Sequence, residues 1–416
     1  MIKTDIVELE IARKRQGLSR SQLARKAEIS ASHMAMIERG KSRASRKVAL
    51  RIAAILDVEF DELFSTDISK IVAIIPAHNE ERDIGKTLQS VLDQYIPADR
   101  IIVALDNCTD GTEKEVKKYP GIRYFPTINN SAKKAGALNQ AIRFMLEHIG
   151  EPEYVLQMDA DTLLDPGAAV AGVDELIDSP ALAGVCNRFR TKDYSGGNKF
   201  LYLLQSLEYS FYDSVWVEKK MNTHVLSGTA VVLRWEALKH IMYVNGDIWS
   251  EHSVVEDFRL ALDLKAGGWS IRVGKKMFSR TDYMPTFKTL WNQRKRWFYG
   301  TIEELSAEGW TNYTKKDILT QIYSATMGAV SIFFVSLLVV MVALGLVTQW
   351  HWLGQVVVAV ILLDRIYRSK YIRDKTPLKM AVNLSVLPFY FYSVFLIACY
   401  YWSVLLAFSG KPLTKW

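Results

Sequence analysis

Cysteine is scarce in this chain, with three in 416 residues. Cys108, Cys186 and Cys399 are far apart, odd in number and without metal-ligand spacing, which excludes a disulfide framework and predicts reduced, structural thiols. The N-terminus lacks a hydrophobic stretch of the signal-peptide kind, so the large polar part is expected to be made and kept in the cytosol. Charge is absent from two long tracts, Ile322 to Thr348 and Met380 to Phe408. Runs of this length cross a hydrocarbon core of about 30 Å as helices. A third tract, Trp352 to Leu363, is apolar but short, and it reaches spanning length only with Asp364, Arg365 and Tyr367 at the interface. Spans are therefore predicted near 322–348, 352–368 and 380–408, with Pro388 separating an interfacial piece from the last.

The loop "QWHW" has no Lys or Arg, whereas "DRIYRSKYIRDKTPLK" is rich in both. The positive-inside rule puts the second loop in the cytoplasm, and with it everything before Ile322. The expected location is a multi-pass protein of the plasma membrane, with its last few residues outside. Net charge +7 and a pI near 9.0 fit nucleic-acid binding or basic cytoplasmic loops equally well.

Three units follow from the patterning: residues 1–65, 66–315 and 316–416. The first reads as helices alone. "IVELEIARKRQG" is closed by Gly17, "SRSQLARKAE" opens with Ser19 and Gln22 in capping-box spacing, and "SHMAMIERGK" is stopped by Gly40. Two short helices joined by a tight turn form the helix-turn-helix pattern, and the whole segment resembles the repressor-type helix-turn-helix domain. In that family the second helix reads the major groove, which maps to Ser30, Ala31, Ser32 and His33, with Arg39, Lys41 and Arg43 near phosphates. Its partner is either DNA or a protein, if the bundle serves only for interaction or dimerisation.

The second unit alternates short apolar strands with helices, which implies an α/β fold with a parallel sheet covered on both faces. Ligands in such folds gather at the carboxyl ends of the strands. The polar motifs fall there. "MDADT" sets Asp159 and Asp161 two apart as a strand ends, suited to a hard divalent cation such as Mg²⁺ or Mn²⁺. Asp106 ends the preceding strand, where a carboxylate can accept a hydrogen bond from a base imide. Lys134 stands before a helix N-terminus, a natural place for phosphate. "VLSGTAVVLR" is a small-residue turn at Ser227, Gly228 and Thr229. "SVVEDFRLALDLK" places Glu256 and Asp257 at a helix start, where a carboxylate can serve as general base. Singly, each also reads as a solvated charge or a capping residue.

In this order "PAHNEE", "DNCTDGT", "KKAGALN", "DAD", "SGT", "ED" and "QRKRW" resemble glycosyltransferase family 2, specifically its membrane-embedded processive polysaccharide synthases, over roughly Lys70 to Glu304. "NRFR" with "LEYSFYDS", and "MPTFKTLWNQRKRW", look most like the poly-N-acetylglucosamine synthases. The resemblance implies a GT-A catalytic domain, inversion at the anomeric carbon, a UDP-sugar donor and a polysaccharide acceptor. By the same resemblance Ala77, Glu80 and Asp106 cradle the nucleotide and Lys134 its phosphates. Asp159 and Asp161 hold the metal, and Asp257, beside Glu256, is the base. Gln293, Arg296 and Trp297 form QxxRW: the arginine faces the diphosphate, while Gln293 and Trp297, with Ser227 and Gly228, meet the acceptor. Arg294 and Lys295 read as anchors to anionic lipid. The segments around 196–216 and 286–300 are expected as interfacial helices.

Relatives usually carry spans before the catalytic domain, where this chain has the helix-turn-helix unit. Three spans are few for a polymer channel, so a homo-oligomer or a membrane partner subunit is one expectation. Two other readings stay open: a non-processive enzyme that loads a lipid carrier, and a membrane-bound transcription regulator that senses a sugar nucleotide.

Overall fold

A computed structural model describes residues 2–42, 44, 46–66, 70–344 and 351–409. Arg43 and the end of the first predicted span, 345–348, lie outside the described residues. In the N-terminal unit the helices Ile6–Arg15, Arg20–Lys26, Ala31–Glu38, Arg46–Leu56 and Phe60–Leu63 bury Leu9, Leu23, Met34, Ile37, Ile52 and Leu56. The capping box is present: the Gln22 N–H donates to Ser19 Oγ at 3.2 Å, and the Ser19 N–H donates to Gln22 Oε1 at 2.8 Å. The sequence reads as helices alone, but strands β1 (Ile2–Thr4) and β2 (Phe64–Thr66) pair antiparallel and tie the two ends of the unit together. Three-residue strands are too short for an apolar alternation to announce them.

The second unit is built on eight strands: β3 (Ile71–Ala77), β4 (Ile101–Leu105), β5 (Arg123–Pro126), β6 (Tyr154–Met158), β7 (Leu163–Leu164), β8 (Leu182–Thr191), β9 (Ala230–Arg234) and β10 (Ser270–Thr281). Their order is β5-β4-β3-β6-β9-β8-β10-β7. Strands β3, β4 and β6 are buried on both faces, as their continuous runs of Ile, Val and Ala require. One face packs on the helix Ile84–Leu92 through Ile84 and Leu88, the other on the helix Lys133–His148 through Leu138 and Met145.

The sheet is mixed, which corrects the all-parallel expectation. Strand β9 runs antiparallel to both β6 and β8. A buried apolar run looks the same in either direction, so the sequence pattern is blind to this reversal. The reversal matters for function, because it brings the turn before β9, with Ser227, Gly228 and Thr229, to the carboxyl end of β6. There the Asp159 N–H donates to Thr229 O at 3.1 Å.

The interfacial segments are helices, Lys199–Glu218 and Phe287–Glu308. Beyond them lie the helices Lys315–Ala343, His351–Arg368, Pro377–Leu384 and Val386–Phe408. Among the described residues one stretch, Pro388–Phe408, has both the length and the apolar character to cross a membrane. The second predicted span has 18 helical residues, about 27 Å at 1.5 Å per residue, and includes Asp364, Arg365 and Arg368. The third is broken at Ser385, whose extended backbone (φ −79°, ψ 113°) separates two helices. Pro388 sits inside the first turn of the second helix, where its missing N–H costs no hydrogen bond, so the break falls just before it.

Helix Phe287–Glu308 packs along Val386–Phe408. Ser403 Oγ donates to Lys295 O at 3.4 Å, and the rings of Phe287 and Phe395 are 5.6 Å apart.

Candidate active site

Strand ends and helix starts converge on a cavity of about 770 Å³. Ala77, Glu80, Asp106, Lys134, Asp159, Asp161 and Arg296, assigned from widely separated motifs, all line it. Four non-glycine residues with positive φ surround it: Asn79 (57°), Asn107 (50°), Asn129 (50°) and Lys133 (56°). Such backbone is found where the fold must aim groups at a ligand, and asparagine tolerates it best.

Asp106 is 6% exposed. Its Oδ1 accepts from Asn107 Nδ2 (3.0 Å), Thr127 Oγ1 (2.9 Å) and Asn130 Nδ2 (2.7 Å). Three donors on one oxygen fix the carboxylate and leave Oδ2 available to a ligand. Asn107 is therefore a support for Asp106, and a second carboxylate at that position would repel it. Thr127 and Asn130 escaped the sequence reading because they lie outside the recognisable motifs.

Lys134 joins the two halves of the site. Its Nζ is 2.5 Å from Asp159 Oδ1 and 3.3 Å from Glu256 Oε1. Burial opposes its charge, but Asp159 and Glu256 raise its pKa above the usual lysine range. Burial would raise Glu256, yet Lys134 and then Arg296 hold it below the ordinary carboxylate range. Asp257 is treated oppositely: burial, then the Glu256 charge, push it up to about 6. Its Oδ2 accepts from the Gly228 N–H at 3.3 Å and its Oδ1 from the Phe258 N–H at 2.7 Å. Adjacent carboxylates driven apart in this way mark a fixed anion and a proton acceptor.

Burial, followed by repulsion from Asp159, pushes Asp161 up to about 7. Glu80 is also raised to about 7, by burial and then by Asp161 and Asp83. Lys192, absent from the motif reading, meets Asp83 and Asp282 at 2.9 Å each, and its charge restrains the rise of Asp161 and Glu80. Among the described residues no cluster of three or more His, Cys, Asp or Glu side chains is spaced to hold a metal. The pair Asp159 and Asp161 nevertheless fits a divalent cation, since two half-buried carboxylates in mutual repulsion supply hard oxygen ligands whose charge a cation relieves.

Gly228 shows how tightly the turn is held. A Cβ added there would lie 2.7 Å from Lys134 Nζ and 3.7 Å from Asp257 Oδ2. Gly228→Ala is expected to leave the fold intact, because only a flexible ammonium has to move. By pushing Lys134 off Asp159 it should raise the donor KM about tenfold, the equivalent of one charge-assisted contact of ~1.4 kcal/mol. Donor titration of the variant against its thermal midpoint checks this.

The QxxRW helix corrects one assignment. Arg294, read as a lipid anchor, is 1% exposed. Its Nη2 is 2.7 Å from Glu208 Oε2, its Nη1 donates to Gln293 Oε1 at 2.5 Å, and its guanidinium lies 4.3 Å from the Trp297 ring centroid. Tyr212 and Tyr392 also donate to Glu208, at 2.7 and 2.6 Å. Gln293 and Trp297 are not among the residues lining this cavity; both contact Arg294. The signal for this pairing was weak, because Glu208 is 86 residues away and sits within an aromatic helix.

In the N-terminal unit Ser30, Ala31 and Ser32 are exposed and His33 is half-buried. Ser30 Oγ accepts from the His33 N–H at 3.1 Å, which caps the helix, and lies 3.0 Å from Ser32 Oγ. The three cysteines are free.

Residues 72–242 match the model of glycosyl transferase family 2, and residues 9–63 match a helix-turn-helix model. Over these two stretches the chain is similar to a family 2 glycosyltransferase domain and to a helix-turn-helix domain. A poly-beta-1,6-N-acetyl-D-glucosamine synthase of Staphylococcus epidermidis is 27% identical over 281 residues, 64% of each chain. The corresponding synthase of Staphylococcus aureus strain COL is 25% identical over 256 residues, 60% of this chain and 57% of that one. The chain thus spans less than two thirds of the length of these curated relatives. Among solved structures, the mannosyltransferase PcManGT from Pyrobaculum calidifontis, in complex with GDP-Man and Mn²⁺, superposes with a TM-score of 0.56. It is 15% identical, and the match covers 82% of this chain and 88% of that one. That likeness is one of fold, and it agrees with the GT-A-like mixed sheet.

Proposed function

We propose that this protein is a glycosyltransferase that transfers a sugar from a UDP-sugar, with inversion, to a hydroxyl at the end of a growing β-linked polysaccharide. The observation that carries the reading is the convergence on Lys134: it binds Asp159 on one side and Glu256 on the other, with Asp257 next in the chain. Donor, leaving group and base are thereby brought to one place.

Asp106, through its available Oδ2, accepts from the base of the nucleotide. Lys134 and Arg296 take the diphosphate, the guanidinium as a fork and the ammonium as a point charge. Asp159 and Asp161 would hold Mg²⁺ or Mn²⁺, which neutralises the leaving diphosphate when bound. Asp257 takes the proton from the acceptor hydroxyl. That oxygen then bonds to the anomeric carbon as the bond to UDP breaks, and Glu256, held ionised by Lys134, keeps Asp257 basic enough for the task. Gln293 and Trp297 meet the acceptor, with Ser227 and Gly228 behind them.

The same reading places the C-terminal helices in the bilayer of the plasma membrane with the catalytic unit on the cytosolic side. Its support is apolar exposure: Ile322, Phe333, Phe334 and Val340 on one helix, Val356, Val360 and Leu363 on the next, and Phe391, Leu405 and Phe408 on the last. Such a continuous apolar surface needs a nonaqueous partner.

UDP release by detergent-solubilised protein with Mn²⁺, screened over UDP-GlcNAc, UDP-glucose, UDP-glucuronate and UDP-galactose, tests the reaction. The expected result is release with one donor and a slow-migrating product on a gel. Given the similarity to poly-N-acetylglucosamine synthases, UDP-GlcNAc is the first candidate. Release coupled to a solvent-extractable glycolipid would instead assign a lipid-linked acceptor, and no release with any donor would refute the proposal.

A further inference from the structure

A second pocket shares no lining residue with the donor cavity. It lies at the ends of β8 and β10, closed by the segment between helices His351–Arg368 and Pro377–Leu384. Four cations line it: Arg188, Arg190, Arg373 and Lys379. Two are neutralised within the protein. Arg188 Nη2 meets Asp213 Oδ2 at 2.6 Å, and Arg190 Nη2 meets Asp165 Oδ2 at 3.1 Å.

The other two are not. Lys379 is 6% exposed, yet among the described residues its ammonium makes no ion pair or hydrogen bond and has only the Tyr202 ring, 5.5 Å away. Asp374 and Asp193 are its nearest carboxylates, and neither pairs with it. Arg373 lies 3.4 Å from the centroid of the Phe278 ring, which Arg188 approaches to 4.8 Å. Burial, with Arg190 adding to it, lowers the Lys379 pKa, and burial followed by Arg188 and Arg190 lowers that of Arg373. The stem of Lys379 is buried while its ammonium keeps an opening into the pocket, and a partly desolvated cation without a counter-charge, with like charges around it, favours an anion there.

We propose that this pocket is a phosphate-binding site, in which Lys379 and Arg373, supported by Arg188 and Arg190, take a phosphate group. A guanidinium fork and an ammonium lining one pocket suit the several oxygens of a phosphate better than the two of a carboxylate. A phospholipid headgroup and a soluble phosphoryl compound present the same chemistry. Either would fasten the 369–379 segment, and the C-terminal helices it joins, onto β8 and β10.

The test uses the full-length protein in detergent and reads the thermal midpoint by tryptophan fluorescence. The probes are short-chain phosphatidylglycerol, short-chain phosphatidylcholine and inorganic phosphate, each against chloride of equal ionic strength. The wild type is expected to be stabilised by at least one phosphate probe. A response to phosphatidylglycerol without inorganic phosphate assigns a lipid, and a response to inorganic phosphate assigns a soluble ligand. Lys379→Met should abolish the shift while its own midpoint without probe is no lower than that of the wild type, because an unpaired buried charge has been removed. Arg373→Gln, at an exposed position, should weaken the response about tenfold. No shift with any probe, or equal shifts in wild type and both variants, overturns the proposal.

Discussion

Replacing Asp257 with asparagine is expected to lower turnover about 10³-fold, the middle of the range a positioned general base supplies, while UDP still binds. The two halves of this expectation have different causes. Asparagine keeps one oxygen, which can still accept from the Phe258 N–H at 2.7 Å; its amide nitrogen replaces the oxygen that accepts from the Gly228 N–H, so the longer contact, 3.3 Å, is the one lost and the helix start is preserved. Asparagine cannot take a proton. The diphosphate contacts, Lys134 and Arg296, are untouched. Turnover and UDP affinity measured on the same preparation check both halves, and a fully active variant would remove Asp257 as the base.

The same carboxylate sets the pH dependence. Its pKa of about 6, raised by burial and by Glu256, means that it is protonated and inactive as a base below that pH and competent above it. Activity therefore rises with pH through about 6. A cation held by Asp159 and Asp161 would relieve the repulsion between them, so with Mn²⁺ present the acid limb of kcat/KM should follow the Asp257 ionisation.

The polar half of this site was largely legible in the sequence because four of its charges end a strand or start a helix, and an apolar run stopping at a carboxylate is visible in one dimension. Asp106, Lys134, Asp159 and Asp161 reach one cavity for that reason, whereas Arg296 comes to it from the middle of the helix Phe287–Glu308 and was readable only through the QxxRW resemblance. The reversed direction of β9 was not legible, since a run such as Ala-Val-Val-Leu carries no polarity. The sheet was therefore expected to be parallel, although the turn at Gly228 was correctly singled out. The helix-turn-helix unit was readable from its caps at Ser19 and its glycines at 17 and 40. The role of Arg294 was hidden for another reason: three cations beside an indole before a greasy segment describe a lipid anchor as well as a buried ion pair. Only the position of Glu208, on a distant helix, decides between them.

That ion pair gives the second large effect. Glu208→Leu leaves the Arg294 guanidinium, 1% exposed, without its carboxylate, which costs about 3–5 kcal/mol and should lower the thermal midpoint by roughly 10 °C. Tyr212 and Tyr392 lose their acceptor in the same step. Stability alone does not separate a structural pair from one that also positions the acceptor residues, but the double variant Glu208→Leu, Arg294→Met does. Replacing both partners by apolar groups removes the uncompensated charge, so the midpoint should recover most of the loss. Transfer should not recover with it. Without Arg294, Gln293 loses its donor at 2.5 Å and Trp297 the guanidinium at 4.3 Å, and misplacement of acceptor groups costs on the order of 10²-fold in rate. The deficit should appear in turnover and acceptor KM, with donor KM near the wild-type value, because Arg296 and Lys134 remain in place. If activity returns together with stability, Arg294 only holds the helices together, and the orientation of Gln293 and Trp297 must come from elsewhere in the fold.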